Sequence, residues 1–482
     1  MKTVIIPLEE GFREYLTDEA KFSGTAESIS FPRSEEDARE ILAELRGTPV
    51  TIQGGKTGLT GGSVPEGGHI MNFSRMNRIK DYEVHSGGSY RLTVEPGVTL
   101  LDLRKALTAL PSAVPLFWPV EPTEPSATIG GIAATGARGI CSGYYGKTEK
   151  HILQARLLSA DGSVRTVIEK DSRDFPLSSL IGSEGIAGAF TELTLNLLPK
   201  PKSIWGIMFF FAGEAGLCTF ADALCSEAIK TDDADIAAIE YIDGAAISMI
   251  EMRKPYSNAI RGLPDVEKPC EGLIYLELHG EDSGIERLAL PLMELAKQHG
   301  SDGERAWAVS GEAEVEKMRS FRHTAAESAN LHIASLHQED RRITKLGTDM
   351  ICMHESFTQT LARYRRGLQN RGIKGCIFGH VRGGHLHVNI LPRNYAGYQE
   401  GISLIRQWAQ DIAGIGGMVI GEHGIGKLKK QLLAGLIPEP TITRFRRLKA
   451  FYDASGIWNR GNIFDISERQ RCLGFSCFPA EN

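Results

Sequence analysis

The sequence lacks closely spaced cysteine pairs, although its 482 residues include eight cysteines. No Cys-x-x-Cys motif occurs, which argues against an iron-sulfur cluster and against a zinc ribbon. Cys472 and Cys477 are the nearest neighbours, and we expect them to be free thiols in a reducing cell rather than a redox pair.

Long hydrophobic runs and an excess of one charge are also missing. The longest apolar run, residues 204–212, is far shorter than the ~20 residues that span a bilayer. The N-terminus, MKTVIIPLEEGF, lacks the apolar region and the cleavage site of a signal peptide. The 54 basic and 60 acidic residues give a net charge of -6 and no reason to expect a nucleic-acid partner. We therefore expect a cytoplasmic protein.

Two familiar nucleotide fingerprints are absent. The segment GGKTG, residues 54–58, lacks Walker spacing, which argues against an NTPase. No nicotinamide fingerprint occurs either, which argues against NAD as the direct electron acceptor. Instead, many of the 53 glycines gather in three small-residue segments, residues 54–68, 127–139 and 181–188. Because such backbone can bring its N–H groups close to a pyrophosphate, these segments favour a dinucleotide site over merely flexible turns.

The length predicts two or three domains. Ser34 is a good N-cap for an amphipathic helix, and residues 50–52 and 69–73 read as short strands around the first glycine-rich segment. Longer amphipathic helices follow a proline-containing break near residue 200. We predict an α+β fold with a first domain at residues 1–200, a second at 201–440, and a C-terminal segment, 441–482, that returns to the first.

The segment GEHGIG, residues 421–426, places Glu422 and His423 side by side between glycines. A carboxylate and an imidazole on one tight turn can divide two tasks, metal binding and proton transfer. This pairing makes the turn a candidate catalytic element.

A second segment, residues 380–387, reads HVRGGHLH and leads into an apolar run. The composition of HLHVNIL predicts a strand, on which His385 and His387 share a face. The outer histidines would instead share a face if the segment were a helix.

The order of these motifs resembles that of the vanillyl-alcohol-oxidase-type flavoproteins. The segments that carry the resemblance are residues 54–65, 128–131, 160–162, 182–185, the two histidine segments and 456–461. Over about residues 25–465 the chain is similar to the D-2-hydroxyacid dehydrogenase branch, which includes D-lactate dehydrogenase, D-2-hydroxyglutarate dehydrogenase and the flavoprotein subunit of glycolate oxidase. Each motif alone is weak, but their shared order makes the resemblance strong.

The resemblance implies a two-part FAD-binding domain of the PCMH type, a cap domain over the isoalloxazine, and a C-terminal segment that returns to the flavin. The glycine-rich loop has no histidine for a covalent link, so we expect non-covalent FAD. The implied FAD-binding residues are Gly54, Gly55, Lys56, Thr57, Gly58, Gly61, Gly62, Thr128, Gly130, Gly131, Ser183, Glu184, Gly185 and Asn459.

The relatives' pattern H-x-G-D-G-N-x-H keeps its outer histidines in this chain. The resemblance therefore implies that His380, His387 and Glu422 bind a divalent metal, for which we expect zinc. It also implies that His423 is the general base that takes the substrate's hydroxyl proton, while the C2 hydrogen passes to flavin N5 as a hydride.

Three central positions of that pattern differ here. Arg382, Gly383 and His385 stand where the relatives have Gly, Asp and Asn. Four explanations stay open: His385 tunes the flavin, it replaces His387 as a ligand, it marks a subgroup with another acceptor, or the metal has been lost.

An anionic substrate needs fixed cations. The segment MRSFRHT, residues 318–324, resembles the family's stretch with a carboxylate-binding arginine; Arg322 fits that position best, with Arg319 as the alternative. Lys345 matches the family's second cationic contact. Arginine and lysine together suit a carboxylate, although a solvated helix-face charge is the ordinary alternative for each.

The function implied by the resemblance is FAD-dependent oxidation of a D-2-hydroxy acid, such as D-lactate, glycolate or D-2-hydroxyglutarate, to the 2-oxo acid. Two alternatives are an oxidase of another alcohol or sugar acid, and an FAD-binding electron-relay or scaffold subunit of a glycolate-oxidase-like complex. The electron acceptor stays open among a quinone, a cytochrome, an electron-transfer flavoprotein and an iron-sulfur subunit. We expect the protein to associate with the inner membrane only through such a partner. A homodimer also stays open.

Overall fold

A computed structural model describes residues 4–85, 88–170, 175–226 and 229–465, so Cys472 and Cys477 lie outside the described residues. The chain divides into two compact units. The first comprises Met1–Gly139, Gly146–Lys200 and Glu422–Asn482, and the second comprises Ile140–Tyr145 and Pro201–Gly421. The chain thus returns to the first unit in the GEHGIG turn, well before the predicted boundary at residue 440, because that turn already packs within the first unit.

The first unit contains two β-sheets. One has the strand order β1-β2-β4-β3, in which β4 runs parallel to β2 and β3. The other has the order β5-β6-β10-β8-β9, with antiparallel pairs and with β7 against β10. The strands are β1 (Ile6–Pro7), β2 (Ser28–Ser30), β3 (Val50–Gln53), β4 (His69–Asn72), β5 (Ile79–His85), β6 (Ser89–Val94), β7 (Leu116–Phe117), β8 (Ile152–Leu158), β9 (Val164–Ile168) and β10 (Ala189–Pro199).

The helices of the first unit begin with the predicted one. The Ser34 side chain accepts a hydrogen bond from the Asp37 N–H at 3.1 Å and so caps the helix Glu35–Leu45. The α-helices of this unit are Glu35–Leu45, Leu100–Leu107, Ile129–Thr135, Leu177–Leu180, Leu428–Leu432 and Glu439–Tyr452, and its 3-10 helices are Glu10–Leu16, Phe73–Arg75 and Thr148–Lys150.

The second unit is built on one six-stranded sheet of order β14-β11-β13-β12-β15-β16, in which every pair is antiparallel. Its strands are β11 (Ser203–Phe211), β12 (Ala234–Asp243), β13 (Gly272–Gly280), β14 (Trp307–Ser310), β15 (Gly375–His380) and β16 (His385–Ile390). Its α-helices are Ser142–Tyr145, Glu214–Ser226, Gly244–Arg253, Asp282–Gln298, Glu312–Glu339, Phe357–Asn370 and Tyr395–Gly414, and its 3-10 helices are Lys254–Tyr256 and Gly303–Arg305.

The predicted α+β fold is confirmed by this mixture of helices and sheets. The predicted strand at HLHVNIL is observed as β16, and the earlier histidine, His380, ends the neighbouring β15. In the described part of the chain, none of the helices combines the length and the apolar character that crossing a bilayer requires.

Residues 457–459 lie beside β3 in the first unit. The Val50 N–H donates to the Ile457 carbonyl at 2.8 Å, and the Asn459 N–H donates to the Val50 carbonyl at 2.9 Å. Between these bonds Trp458 is fully buried in a cluster that includes Ile41. The C-terminal part of the chain therefore completes the core around the first sheet.

A buried ion pair holds this segment in place. Lys449 Nζ lies 2.7 Å from Asp453 Oδ2 and also donates to the Trp458 carbonyl at 2.7 Å. Asp453 in turn accepts from the backbone N–H groups of Ile457 and Trp458, at 2.9 and 2.8 Å. Burial lowers the pKa of Lys449, and the charge on Asp453 opposes that shift. Because each charge is satisfied by the other and by backbone, removing one partner leaves an uncompensated buried charge.

We expect Asp453→Ala to lower the free energy of unfolding of the first unit by about 3 to 5 kcal/mol, as is usual when one member of a buried pair is removed. Glu439→Ala is the matched control, because Glu439 begins the same helix but forms an exposed pair with Arg446. Its cost should stay below about 1 kcal/mol. Chemical unfolding curves of the two variants measure the difference, and equal losses would contradict the role given to the buried pair.

Candidate functional site

The first two glycine-rich segments pack directly against each other in the first unit. A Cβ on Gly54 would lie 2.1 Å from Thr128 Oγ1, and a Cβ on Gly55 would lie 2.5 Å from the Ser126 carbonyl oxygen. Likewise, a Cβ on Gly130 would lie 2.6 Å from Pro96 Cβ. These three predicted FAD-binding glycines are therefore required by packing within the protein itself.

Gly58 and Gly62 differ from these glycines. Among the described residues, the heavy atom nearest to a Cβ on Gly58 is Asp18 Oδ2 at 3.9 Å, and for Gly62 it is Asn462 Nδ2 at 3.6 Å. Both distances are ordinary van der Waals contacts, and neither glycine has a left-handed φ. Their lack of a side chain is not explained by the protein's own packing, whereas close approach of a ligand to the backbone would explain it. The loop thus fits the cofactor that the sequence predicts.

Two other loop residues are engaged by the N-terminal segment. Lys56 Nζ donates to the Glu14 carbonyl at 2.8 Å and lies 4.1 Å from the centre of the Tyr15 ring. The N–H of Gly61, a predicted FAD-binding residue, donates to Asp18 Oδ2 at 2.8 Å. Burial raises the pKa of Asp18 to about 7. These contacts hold the Lys56 side chain and the Gly61 amide against the N-terminal segment.

Glu184, in the third glycine-rich segment, holds the GEHGIG turn. Its carboxylate accepts from the backbone N–H groups of Ile425 and Gly426, at 2.6 and 2.7 Å. Burial raises the pKa of this carboxyl. The turn's glycines are needed for the approach, because a Cβ on Gly424 would lie 2.9 Å from Glu184 Oε1 and one on Gly426 would lie 2.1 Å from the Thr60 carbonyl oxygen.

Asn459 joins the same assembly. Its Oδ1 accepts from the Ile52 N–H at 2.7 Å, and its Nδ2 donates to the Glu184 carbonyl at 2.8 Å. Gly185 leaves room for this amide, since a Cβ there would lie 2.5 Å from Asn459 Nδ2. Ser183 is buried in the same segment. The structure thus brings together four of the predicted FAD-binding residues, and the side chains of two of them bond to the protein.

The acid and the base of the turn differ in exposure. His423 Nε2 lies 3.8 Å from Glu422 Oε1, and the side chains are 27% and 9% exposed. The Thr60 hydroxyl donates to the His423 carbonyl at 3.4 Å. The turn therefore fixes the backbone of His423 while leaving its imidazole accessible, and it keeps the carboxylate of Glu422 largely buried.

The second unit brings three imidazoles to one face of its sheet. His380 on β15 is directly opposite His385 on β16, and His387 follows two residues later on the same face. The ring centres are 5.4 Å apart for His380 and His385, 5.8 Å for His380 and His387, and 4.6 Å for His385 and His387. The predicted ligands His380 and His387 are thus close together, with His385 beside them.

Glu240 on β12 is opposite His380 in the sheet register. Its carboxylate lies 2.5 Å from His380 Nδ1 and accepts from Arg322 Nε at 2.9 Å. Burial alone would raise the pKa of Glu240, but the charges and hydrogen bonds of His380 and Arg322 outweigh it, so the pKa is lowered. An ionised Glu240 orients the His380 ring, and Arg322 compensates its charge.

The other two imidazoles also have oriented partners. His385 Nε2 lies 3.1 Å from Asp349 Oδ1, and His387 Nδ1 lies 3.4 Å from the Thr348 carbonyl oxygen. Gly421, the last residue of the second unit, lies beside the His385 ring, since a Cβ on Gly421 would lie 2.4 Å from His385 Nε2. Glycine at the first position of the GEHGIG turn is therefore required by the His385 ring.

The remaining predicted cations also lie in the second unit. Arg319, the alternative to Arg322, forms two hydrogen bonds with the buried carboxylate of Glu277. Lys345 Nζ donates to Asn330 Oδ1 on the same long helix as Arg322. Because Asn330 follows Arg322 by eight residues, the two lie on one side of that helix.

Three residues of the site were missed from the sequence. Glu240 had a signal, since it is an acid inside the apolar run of β12. Asp349, and Asp18 beside Glu19, are acids in irregular segments, and their contacts with His385 and Gly61 depend on the fold.

Known proteins give the family. Residues 26–168 match the FAD binding domain family, and residues 214–463 match the family of FAD linked oxidases, C-terminal domain. The chain is 26% identical over 465 residues to glycolate oxidase subunit GlcD of Bacillus subtilis, covering 94% of this chain and 92% of that protein. It is 25% identical over 449 residues to the mitochondrial D-lactate dehydrogenase (cytochrome) of Arabidopsis thaliana, covering 90% of this chain and 73% of that protein.

Solved structures show the same fold at lower identity. A 4-ethylphenol oxidase from Gulosibacter chungangensis, in an isoeugenol complex, superposes with a TM-score of 0.71 at 16% identity, covering 97% of this chain and 95% of that one. The second family match alone spans more than half of the sequence. The chain therefore belongs to the FAD-linked oxidases, as an oxidoreductase of the glycolate oxidase and D-lactate dehydrogenase type.

Proposed function

We propose that this chain is an FAD-dependent dehydrogenase that oxidises a D-2-hydroxy acid to the 2-oxo acid. The observation that carries the proposal is the GEHGIG turn, whose backbone is clamped by Glu184 while the His423 imidazole stays accessible. Relatives over most of the chain are named for glycolate and D-lactate, both small 2-hydroxy acids. A clamped turn with an accessible base suits proton transfer from such a substrate.

The cofactor's pyrophosphate would lie along the glycine-rich loops of the first unit, where Gly58 and Gly62 leave backbone open to a ligand. Non-covalent FAD supplies the hydride acceptor of the reaction. The residues that we propose to hold it are those predicted from the sequence: Gly54, Gly55, Lys56, Thr57, Gly58, Gly61, Gly62, Thr128, Gly130, Gly131, Ser183, Glu184, Gly185 and Asn459.

His423 would accept the proton of the substrate's C2 hydroxyl. Histidine is the side chain best suited to accept protons near neutral pH. The Thr60 hydroxyl binds the carbonyl of His423 itself, and the Glu184 carboxylate binds the N–H groups two and three residues further along. Both contacts limit the movement of the turn that carries the imidazole.

His380, His387 and Glu422 would hold a divalent metal. The bond from Glu240 to His380 fits this proposal, because a carboxylate commonly orients a metal-binding histidine. A bound cation of this kind polarises a hydroxyl group and so eases loss of its proton. Arg322 and Lys345 would bind the substrate's carboxylate as fixed cations.

The glycine-rich loop gives a test of the cofactor site. Gly58→Ala and Gly62→Ala add a methyl group that the protein can accommodate but that would meet the ligand. We expect each to weaken FAD binding by about 1 to 3 kcal/mol, or roughly five- to 150-fold in Kd. Titration of the flavin-free protein with FAD measures the change. Gly11→Ala is the control, because a Cβ there has nothing within 4 Å; unchanged FAD affinity in both loop variants would contradict the assignment.

The proposed base gives a second test. We expect His423→Asn to retain bound FAD but to slow flavin reduction by a D-2-hydroxy acid by about 10² to 10⁴-fold, the usual contribution of a general base. Stopped-flow bleaching of the flavin under anaerobic conditions measures the rate. His85→Asn, an exposed histidine of the same unit, should reduce its flavin at the wild-type rate. Normal bleaching of His423→Asn would remove it from the mechanism.

An anaerobic screen of the wild-type protein with D-lactate, glycolate, D-2-hydroxyglutarate and sugar lactones tests the substrate class. Bleaching by a 2-hydroxy acid supports the proposal, and bleaching by lactones alone supports the alternative, an oxidase of another alcohol or sugar acid. If no compound bleaches the flavin and the chain co-purifies with an iron-sulfur protein, the relay-subunit alternative replaces it.

A further inference from the structure

The three imidazoles of the β15–β16 hairpin lie close enough to share one cation. One ring nitrogen from each of His380, His385 and His387 lies within 4.8 Å of one from each of the other two. All three come from one antiparallel pair of strands in the second unit, so their separations are set by the hairpin's register. Zinc bonds to imidazole nitrogen are about 2.0 to 2.1 Å, so nitrogens that share one ion lie no more than about 4.2 Å apart, a spacing of the same order.

The partners of the three rings point to the same use. His387 donates from Nδ1 to the Thr348 carbonyl, because a carbonyl only accepts, and in the neutral ring the lone pair is then on Nε2. The carboxylate of Glu240 engages His380 Nδ1, and that of Asp349 engages His385 Nε2. A hydrogen bond to a carboxylate or a carbonyl on the other ring nitrogen is the usual environment of a metal-binding histidine.

His385 stands where the relatives' pattern has asparagine, and an imidazole changes the donor set. Imidazole nitrogen favours zinc and its neighbours among the transition metals, whereas sites of oxygen ligands suit magnesium and manganese. Its burial, with only 4% exposure, and its bond to Asp349 restrict the orientation of the ring. The position of His385 therefore suits a metal ligand better than a side chain that only packs in the core.

We propose that His385 is a metal ligand in this protein, so that His380, His385 and His387 bind one zinc-class cation through three imidazoles. This inference rests on the metal site of the proposed function and adds to it a ligand that the relatives' pattern lacks. Asp349 is then a positioning residue that acts through His385.

The test is metal affinity in the FAD-loaded protein after treatment with a chelator. Wild type and His385→Asn are titrated with Zn²⁺ and with Mn²⁺ against a chromophoric chelator. Loss of a partner that only orients a ligand costs about 10- to 100-fold in affinity, so we expect Asp349→Asn to fall in that range and His385→Asn to exceed ~100-fold for Zn²⁺. The loss for Mn²⁺ should be smaller, because nitrogen contributes less to its binding.

Cobalt adds a readout that affinity alone does not give. With Co²⁺ in place of Zn²⁺, we expect the visible bands to change in position and intensity in His385→Asn, because a nitrogen ligand is lost, and to keep their pattern in Asp349→Asn. His332→Asn is the control, since His332 bonds to the Pro392 carbonyl in the same unit. It should retain wild-type affinity and spectrum, and FAD content checks that each variant is folded.

The outcomes separate this inference from the proposed function. If wild type binds one Zn²⁺ and His385→Asn matches it in affinity and Co²⁺ spectrum, His385 is not a ligand, while the other proposed ligands stand. If wild type binds no Zn²⁺, the metal site as a whole is overturned. Neither result affects the flavin-reduction test of His423.

Discussion

The arrangement of the first unit's site depends on one buried carboxylate, that of Glu184. It accepts from the backbone of Ile425 and Gly426, and the carbonyl of the same residue accepts from Asn459 and Asn462. Removing a carboxylate from water is costly, and backbone donors offset that cost only when the turn closes against it. Three segments far apart in the sequence are thereby fixed together, and the turn's imidazole is presented on a rigid backbone.

In the second unit, the register of the strands fixes the positions of the site residues, as the Glu184 carboxylate does in the first unit. Directly opposed residues of antiparallel strands point to one face, so Glu240, His380 and His385 form a row across three neighbouring strands. A slip of one residue between β15 and β16 would put His380 on the opposite face from His385 and His387. The tight turn that joins these strands therefore matters as much to the site as the histidines themselves.

Features set by local patterns could be predicted, and those set by distant contacts could not. The Ser34 cap and the strand at β16 follow from neighbouring residues, and both are observed. The bond from Glu240 to His380 joins residues 140 positions apart, and only the sheet register defines it. Lys56 sits in a loop typical of cofactor binding, yet its amine lies over Tyr15, which is far away in sequence. Motifs identify which residue types are available, whereas loop closure decides what each side chain contacts.

The three departures from the relatives' histidine pattern have different physical origins. Arg382 donates to the Ile236 carbonyl of β12 at 3.0 Å. Gly383 adopts a left-handed φ of 78° in the turn between β15 and β16, a conformation that favours glycine. His385 lies on the strand itself, and its ring centre is 5.4 Å or less from two other imidazoles. A cation shared by the three rings would be bound through a lone pair from each imidazole. Of the three changes, His385 is the one that adds an imidazole to the face that carries His380 and His387.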